Sequence, residues 1–252
     1  MLWIKFGPLW TNRFNEGKMR KKKKLTLSII VPVFNEEKTV ALILKTVSRL
    51  KLRDIQKDIV VVNDGSTDGT AMVLKKIRIP GVRVFHHDKN KGKGAAIRTA
   101  IPHTKGDFVI IQDADLEYDP NDYQKLLEPL IHGQADVVYG SRFLGVHRAF
   151  MFWHSLGNKF LTFVTNLLYD TILTDMETCY KVFRGEVIRG LTLKSNRFEI
   201  EPEMTAKILK KKYKLFEVPI SYSGRSFEEG KKITWKDGFS ALATLARYRF
   251  FN

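Results

Sequence analysis

The chain has 252 residues, a length that suits one sizeable α/β domain or a domain with a modest appendage. Hydrophobic residues make up 44% of it, so a real core can be buried, which argues against wholesale disorder. A single cysteine, Cys179, excludes a disulfide framework and a cysteine-built zinc site. The formal net charge of +16 favours polyanionic partners: nucleotides, phospholipid headgroups, phosphorylated substrates or nucleic acid.

The first 24 residues show no hydrophobic periodicity and end in a basic run at residues 20–24. We interpret residues 1–24 as a basic extension that precedes the domain, a solvated tail, with an anchor for lipid headgroups as the alternative. The segment lacks the order of a secretory signal, and no stretch reaches the roughly 18 apolar residues of a spanning helix. We therefore expect a soluble, intracellular protein for which a peripheral membrane role remains open.

From residue 25 onward, short apolar strands alternate with helical patterns. Strands are predicted at residues 27–31, 59–62, 82–85, 108–111 and 136–139. Helices are predicted between them, around residues 40–50, 70–74, 93–101 and 122–131. Repeated β-α units of this length predict an α/β fold with a doubly wound, mostly parallel sheet.

Beyond residue 140 the pattern loosens. An apolar stripe over residues 156–168 predicts an amphipathic helix, and we expect its Phe160 and Phe163 to be core residues rather than lipid contacts. Residues 198–209 and 239–246 predict two more helices, and residues 215–222 predict an edge strand because they contain Pro219. We therefore predict one domain over residues 25–252 that ends in a C-terminal elaboration.

Acidic side chains follow three of the predicted strands, and ligands of doubly wound sheets bind at the carboxyl ends of strands. These positions are Asn35-Glu36, Asp64 and Asp113-Ala114-Asp115. Two aspartates one residue apart can converge on one hard divalent cation and leave coordination positions for phosphate oxygens. The alternative is an ordinary acidic turn. Asp64 could bind a nucleoside, or could simply cap the next helix.

Three basic segments could bind phosphate. Asn90-Lys91-Gly92-Lys93-Gly94 opens a helix and can present backbone N–H groups and cations, although a flexible basic loop is the alternative. Arg142 and Arg148 follow the fifth strand, where guanidinium groups suit phosphate recognition unless they are surface residues. Residues 224–238 form a glycine-punctuated loop that is either a mobile flap over an anionic ligand or a solvated loop.

In order along the chain, the segments at residues 30–37, 62–70, 90–94 and 113–117 closely resemble family 2 glycosyltransferases. Within that family, the chain is most similar to the branch of dolichyl-phosphate mannose synthases and polyprenyl-phosphate glycosyltransferases. Further matches to the branch are Gly140-Ser141-Arg142, Asn158 and residues 175–184 and 217–220. The likeness covers about residues 27–238, which is most of the chain.

This resemblance implies a GT-A fold, in which a Rossmann-like nucleotide-binding half carries an acceptor half. It implies a nucleotide-sugar donor, a divalent cation (Mg²⁺ or Mn²⁺) and inversion at the sugar carbon. The residues implied to hold the nucleoside are Pro32, Asn35, Glu36 and Asp64, with Lys93 close by. The metal and diphosphate residues would be Asp113-Ala114-Asp115 and Glu117. Arg142 and Arg148 would hold an acceptor phosphate, and Arg225, Lys231 and Lys232 would close over the donor.

The activity that this branch implies is transfer of mannose or glucose from GDP-mannose or UDP-glucose to a polyprenyl or dolichyl phosphate at the cytoplasmic membrane face. Asp115, Arg142 and Arg148 would be the catalytic residues. A lipid phosphate is already ionised, so no essential base is expected. The alternative acceptor is a saccharide hydroxyl, for which Glu201 or Glu203 would act as base. Nucleic acid is not an expected partner, because the basic residues are spread over many elements without a recognition motif.

Overall fold

A computed structural model describes residues 24–148, 152–225 and 235–251 of the chain. Its strands are β1 (Leu25–Val33), β2 (Ile55–Asn63), β3 (Val82–His86), β4 (Phe108–Ile111), β5 (Val137–Ser141), β6 (Lys181–Arg184) and β7 (Leu215–Pro219). Its helices are α1 (Val40–Arg49), α2 (Thr70–Lys76), α3 (Lys93–Ala100), α4 (Tyr123–Ile131), α5 (Phe152–Tyr169), α6 (Gly185–Arg189), α7 (Ile200–Lys210) and α8 (Trp235–Phe250). Apart from Lys24, the predicted basic extension lies outside the described residues.

The strands form one mixed sheet in the order β3-β2-β1-β4-β6-β5-β7. β6 is antiparallel to both of its neighbours, and the other pairings are parallel. Helices cover both faces of the sheet: one core layer lies under α1, α2 and α4, and the other under α3, α6 and α7. The predicted doubly wound, mostly parallel α/β sheet is therefore confirmed, and β7 is the predicted edge strand.

Strand β6 is an element that the sequence pattern did not predict. It has only four residues, and its first residue, Lys181, has a completely buried side chain. A charged residue breaks the apolar pattern by which buried strands are identified, so its burial becomes understandable only through a partner distant in sequence. That partner is Glu201, whose Oε2 lies 2.6 Å from Lys181 Nζ.

The packing of helix α5 differs from the sequence prediction. Its inner side packs with α8 around a small cluster that contains Met176 and Leu245. Phe160 and Phe163, expected in the core, instead expose 53% and 62% of their surface. The amphipathic pattern correctly predicted the helix, but most of its apolar stripe faces outward, whereas Val164 and Leu168 pack inward. Within the described residues, no helix combines the length and hydropathy that crossing a membrane requires.

Candidate active site

The carboxyl ends of β1, β2 and β4 lie side by side. β1 pairs in parallel with β2 on one side and with β4 on the other, with Val33 opposite Asn63 and Ile30 opposite Ile111. The polar segments that leave these strands, residues 34–37, 64–69 and 112–117, therefore meet at one edge of the sheet. The structure brings the acidic positions together, as the strand pattern predicted.

Asp113 is held against a lysine from the glycine-rich loop. Lys93 Nζ lies 2.9 Å from Asp113 Oδ1 and 3.3 Å from Glu201 Oε1. The same ammonium group lies 2.8 Å from the Sγ of Cys179, and burial raises the pKa of that thiol. The sequence suggested Lys93 near the nucleoside; the structure adds that it reaches the first aspartate of Asp113-Ala114-Asp115.

Asp115 lies in a strongly acidic environment. Burial, together with the negative charges of Asp113 and Glu117, raises the pKa of Asp115 to about 7. A bound cation offsets the repulsion between carboxylates that lie this close together, and carboxylate oxygen atoms are the ligands that Mg²⁺ and Mn²⁺ prefer. The residues therefore fit a divalent cation.

Glu117 is engaged elsewhere. Its carboxylate accepts hydrogen bonds from Tyr222 Oη at 2.7 Å and from the backbone N–H of Arg225 at 2.8 Å. Among the residues that the structure describes, no group of three His, Cys, Asp or Glu side chains is arranged to hold a metal ion. A cation bound by Asp113 and Asp115 would thus need further ligands from substrate, and metal ligation by Glu117 stays a prediction.

Asp64 shapes the glycine-rich loop. Its carboxylate accepts hydrogen bonds from the backbone N–H groups of Lys91 at 2.9 Å and Gly92 at 2.7 Å, and lies 2.6 Å from His87 Nδ1. Gly92 has a φ of +100°, and a Cβ there would lie 2.3 Å from the carbonyl oxygen of Asn196, so the position requires glycine. The predicted contact of Asp64 with a nucleoside stays a prediction.

The segment after β1 is tied to the turn after β2. Pro32 lies half-buried near the end of β1, and Asn35 follows it with a positive φ of 52°. Asn35 Oδ1 accepts a hydrogen bond from Thr67 N at 2.8 Å. A cavity of about 420 Å³ adjoins this connection, with Phe34, Asn63 and residues 86–90 in its lining. This edge of the sheet therefore offers a preformed recess beside the predicted nucleoside residues.

Arg225 bridges the two acidic segments. Its Nη1 and Nη2 donate to the two carboxylate oxygens of Glu36 at 3.1 and 3.0 Å, and its Nε donates to the carbonyl oxygen of Asp115 at 2.9 Å. Arg225, which the resemblance predicts to close over the donor, thus contacts both acidic segments of this edge. Lys231 and Lys232 lie outside the described residues.

Arg142 is fixed by a carboxylate at the start of the matched segment 175–184, to which the sequence assigned no role. Asp175 is completely buried and accepts hydrogen bonds from Arg142 Nε and Nη2, both at 2.7 Å. Glu217 in turn holds the segment that carries Asp175, because its Oε1 accepts hydrogen bonds from the backbone N–H groups of Thr174 at 3.0 Å and Asp175 at 3.1 Å. Bidentate pairing of this kind fixes the orientation of the guanidinium plane.

Tyr222 connects this arginine with the acidic edge. Arg142 Cζ lies 5.3 Å from the centroid of the Tyr222 ring, and the tyrosine hydroxyl binds Glu117. The exposed Arg148 donates its backbone N–H to the Tyr222 carbonyl at 3.0 Å. The two arginines predicted to bind phosphate therefore both contact Tyr222, a residue that no sequence motif indicated.

The floor of the site contains further buried charges. Glu201 is paired with Lys181 and Lys93, and the fully buried Glu203 accepts hydrogen bonds from the backbone N–H groups of residues 194 and 195. Burial raises the pKa of Glu177 to about 7, and its Oε1 is enclosed without a hydrogen-bond partner. Glu203 is thus engaged by backbone N–H groups and Glu201 by two lysines, although Glu201 Oε1, like Glu177 Oε1, lacks a hydrogen-bond partner. Glu177 is a carboxylate that the sequence did not indicate.

A family model described as glycosyl transferase family 2 matches residues 28–192. An uncharacterised protein of Methanocaldococcus jannaschii is 33% identical over 232 residues, which cover 88% of this chain and 92% of that protein. A UDP-N-acetylglucosamine–dolichyl-phosphate N-acetylglucosaminyltransferase of Methanococcus voltae is 27% identical over 81% of this chain and 89% of its own length.

Among solved structures, glucosyl-3-phosphoglycerate synthase from Mycobacterium tuberculosis, in complex with Mn²⁺, uridine diphosphate and phosphoglyceric acid, matches with a TM-score of 0.68. The match covers 90% of this chain and 80% of that chain at 19% identity, so it supports the fold alone. The mixed sheet, the acidic edge and the family match agree with one another. The chain belongs to glycosyl transferase family 2: it is a glycosyltransferase with the GT-A fold that takes its sugar from a nucleotide-sugar donor.

Proposed function

We propose that the chain transfers a hexose from the nucleotide sugar to a polyprenyl or dolichyl phosphate, with inversion at the sugar carbon. The observation that carries this proposal is the link from Arg142 through Tyr222 to Glu117. It sets a guanidinium group, which suits an anionic acceptor, beside the acidic edge that suits the donor.

The donor would lie along the carboxyl edge of the sheet. Pro32, Asn35, Glu36 and Asp64 surround the side on which we propose that the nucleoside binds. Lys93 and Arg225 supply positive charge next to Asp113 and Asp115, where the diphosphate would lie. Mg²⁺ or Mn²⁺ held by these two aspartates would offset the charge that develops on the departing diphosphate.

The acceptor would approach from the side of Arg142 and Arg148. An oxygen atom of the lipid phosphate attacks the anomeric carbon, while the bond from that carbon to the diphosphate breaks and its electron pair leaves with the nucleoside diphosphate. The phosphate is ionised at neutral pH, so no proton has to be removed and positioning carries most of the catalysis. The fixed guanidinium plane of Arg142 provides such positioning.

The relative from Methanococcus voltae supports this acceptor class, because its name includes dolichyl phosphate. Its donor, UDP-N-acetylglucosamine, joins GDP-mannose and UDP-glucose as a candidate donor here. Such an acceptor would bring the chain to a membrane surface, and we propose peripheral contact at the cytoplasmic face. The mannose synthase activity implied by the sequence resemblance remains one form of this proposal.

A saccharide hydroxyl is the second candidate acceptor, and Glu177 is the observation that favours it. A carboxyl group with a pKa of about 7 and an unpaired oxygen atom has the properties of a general base at neutral pH. That oxygen is closed to solvent, however, so a hydroxyl could reach it only after rearrangement. We therefore place the lipid phosphate first.

The experiment incubates the purified chain and Mn²⁺ or Mg²⁺ with each of the three radiolabelled donors, offering a short polyprenyl phosphate or a free saccharide. We expect label in the lipid fraction with at least one donor. Label only in the saccharide, together with loss of that activity in Glu177→Gln, would establish the second candidate instead. Glu203→Gln is the matched control, because its carboxylate is committed to residues 194 and 195.

A further inference from the structure

Helix α5 exposes a row of large apolar side chains, while its opposite side packs a mixture of polar side chains and apolar ones, such as Val164 and Leu168, against the protein. Asn158, Thr162 and Thr165 face the protein: the Thr162 hydroxyl accepts a hydrogen bond from Met176 N at 3.2 Å, and the Thr165 hydroxyl bonds to its own helix. The outward side carries six large apolar residues that each expose between 49% and 77% of their surface. They are Phe152, Trp153, Leu156, Phe160, Phe163 and Leu167.

These six side chains form one continuous face. At about 100° per residue, their positions fall within an arc of roughly 100° around the helix axis, the width of a stripe that normally faces a protein core. We call these six residues the α5 face. Scattered exposed apolar residues need no explanation, but a contiguous face of this size marks an interaction site.

The inner side of α5 contacts the proposed acceptor site. Asn158, on the inner side of the same helix, contacts Asp175, which holds Arg142. The charge around α5 is positive: the helix contains no acidic residue, and exposed Lys159 lies at the edge of the α5 face. Exposed Arg148 precedes the helix in the chain. An apolar face bordered by positive charge complements a bilayer that contains anionic lipid.

We propose that the α5 face is a membrane-docking surface, on which α5 lies in the plane of the lipid–water interface with its aromatic side chains among the headgroups and upper acyl chains. The inference rests on the proposed function for its purpose, since docking there would bring Arg142 close to a lipid-borne phosphate. The physical evidence for docking does not depend on the proposed function: it is the exposed apolar face of α5 and the positive charge that borders this face.

The test measures co-sedimentation of the full chain with vesicles of phosphatidylcholine, with and without phosphatidylglycerol, in the absence of nucleotide and polyprenyl phosphate. One variant combines Phe160→Ser, Phe163→Ser and Leu167→Ser, which change exposed side chains only. The matched control combines Leu42→Ser and Met72→Ser, which remove large exposed side chains from α1 and α2. We expect wild type and control to bind vesicles containing phosphatidylglycerol, and the triple variant to bind at least tenfold more weakly.

Equal vesicle binding by wild type and triple variant would overturn the proposal. The proposal would also be overturned if light scattering showed that the wild type is a dimer and the triple variant a monomer, because a second copy of the chain would then cover the α5 face. Transfer to a water-soluble, short-chain acceptor phosphate is measured in parallel and should be unchanged in the triple variant. Since binding is measured without substrates, failure of the docking surface and failure of the proposed function give different results.

Discussion

The donor side and the acceptor side of this protein use charge and apolar surface in opposite ways. On the donor side, β1, β2 and β4 are buried apolar strands, and charged groups such as Asp113, Asp115 and Arg225 gather at their carboxyl edge. On the acceptor side, charged groups are largely buried, as Arg142 and Asp175 are, while α5 exposes six large apolar side chains to the solvent.

This difference indicates how each side positions the charged groups that would contact its substrate. The donor edge gathers groups from loops after three strands, so its charges can respond to a bound diphosphate and cation. The acceptor side fixes one guanidinium group through Asp175, and behind Asp175 through Glu217. Buried ion pairs contribute little net stability, but losing one partner leaves an uncompensated charge. The acceptor side is thus built for fixed geometry rather than for stability.

The largest effect should come from the donor edge. We expect Asp115→Asn to lower kcat by at least about 100-fold, because a correctly held dication contributes several kcal/mol of transition-state stabilisation. The measurement is steady-state transfer with circular dichroism to verify folding. Glu128→Gln, an exposed carboxylate on α4, is the control and should retain full activity. Unchanged turnover in Asp115→Asn would show that the acidic edge does not contribute to catalysis.

A smaller effect should appear on the acceptor side. Arg142→Lys keeps the charge but cannot reproduce the bidentate pair with Asp175, so we expect the KM for acceptor to rise roughly tenfold while donor affinity is unchanged. Arg49→Lys, an exposed position at the end of α1, is the matched control. If Arg142→Lys lowered the affinity for the donor instead, Arg142 would not belong to a distinct acceptor side.

A third effect concerns stability and its dependence on pH rather than activity. Glu177 ionises near pH 4.5 when unfolded, but burial raises its pKa to about 7 in the folded state, where Lys181 and Arg142 oppose the shift and Glu201 and Asp175 add to it. The unfolded chain therefore loses this proton first, and the contribution of Glu177 to the free energy of unfolding falls as pH rises from about 4.5 to 7.

Glu177→Gln removes that loss. Relative to wild type, we expect the variant to gain on the order of 1 to 3 kcal/mol as pH rises through this window, since one pKa unit corresponds to about 1.4 kcal/mol. Urea unfolding of both proteins between pH 4 and 8 measures it, and Glu128→Gln serves as control. A difference between wild type and Glu177→Gln that does not change with pH would contradict the raised pKa.

Much of the donor side could be predicted from the sequence. The apolar runs of β1 to β5 identify the strands, and the rule that ligands bind at carboxyl ends identifies the edge that Asp113 and Asp64 share. The acceptor side could not be predicted in the same way. The partners of Lys181 and Arg142 lie 20 and 33 residues away in sequence, and local periodicity contains no information about such pairs.

Helix α5 shows a different limit. Periodicity correctly shows which residues share a face, because it depends only on the helical repeat. It does not show which face the rest of the protein covers. Here Asn158 and Thr162 form inner hydrogen bonds, so the polar side is covered and the prediction that Phe160 and Phe163 belong to the core was wrong.

The central claim, that Asp113 and Asp115 bind a dication together with a nucleotide diphosphate, is tested most directly by titration calorimetry without any acceptor. Uridine and guanosine diphosphates are titrated into wild type, Asp113→Asn and Asp115→Asn, each with and without Mn²⁺. We predict that Mn²⁺ tightens binding of at least one nucleotide to wild type by tenfold or more, and that each variant loses this dependence on Mn²⁺. Equal, Mn²⁺-independent affinities in all three proteins would contradict the claim.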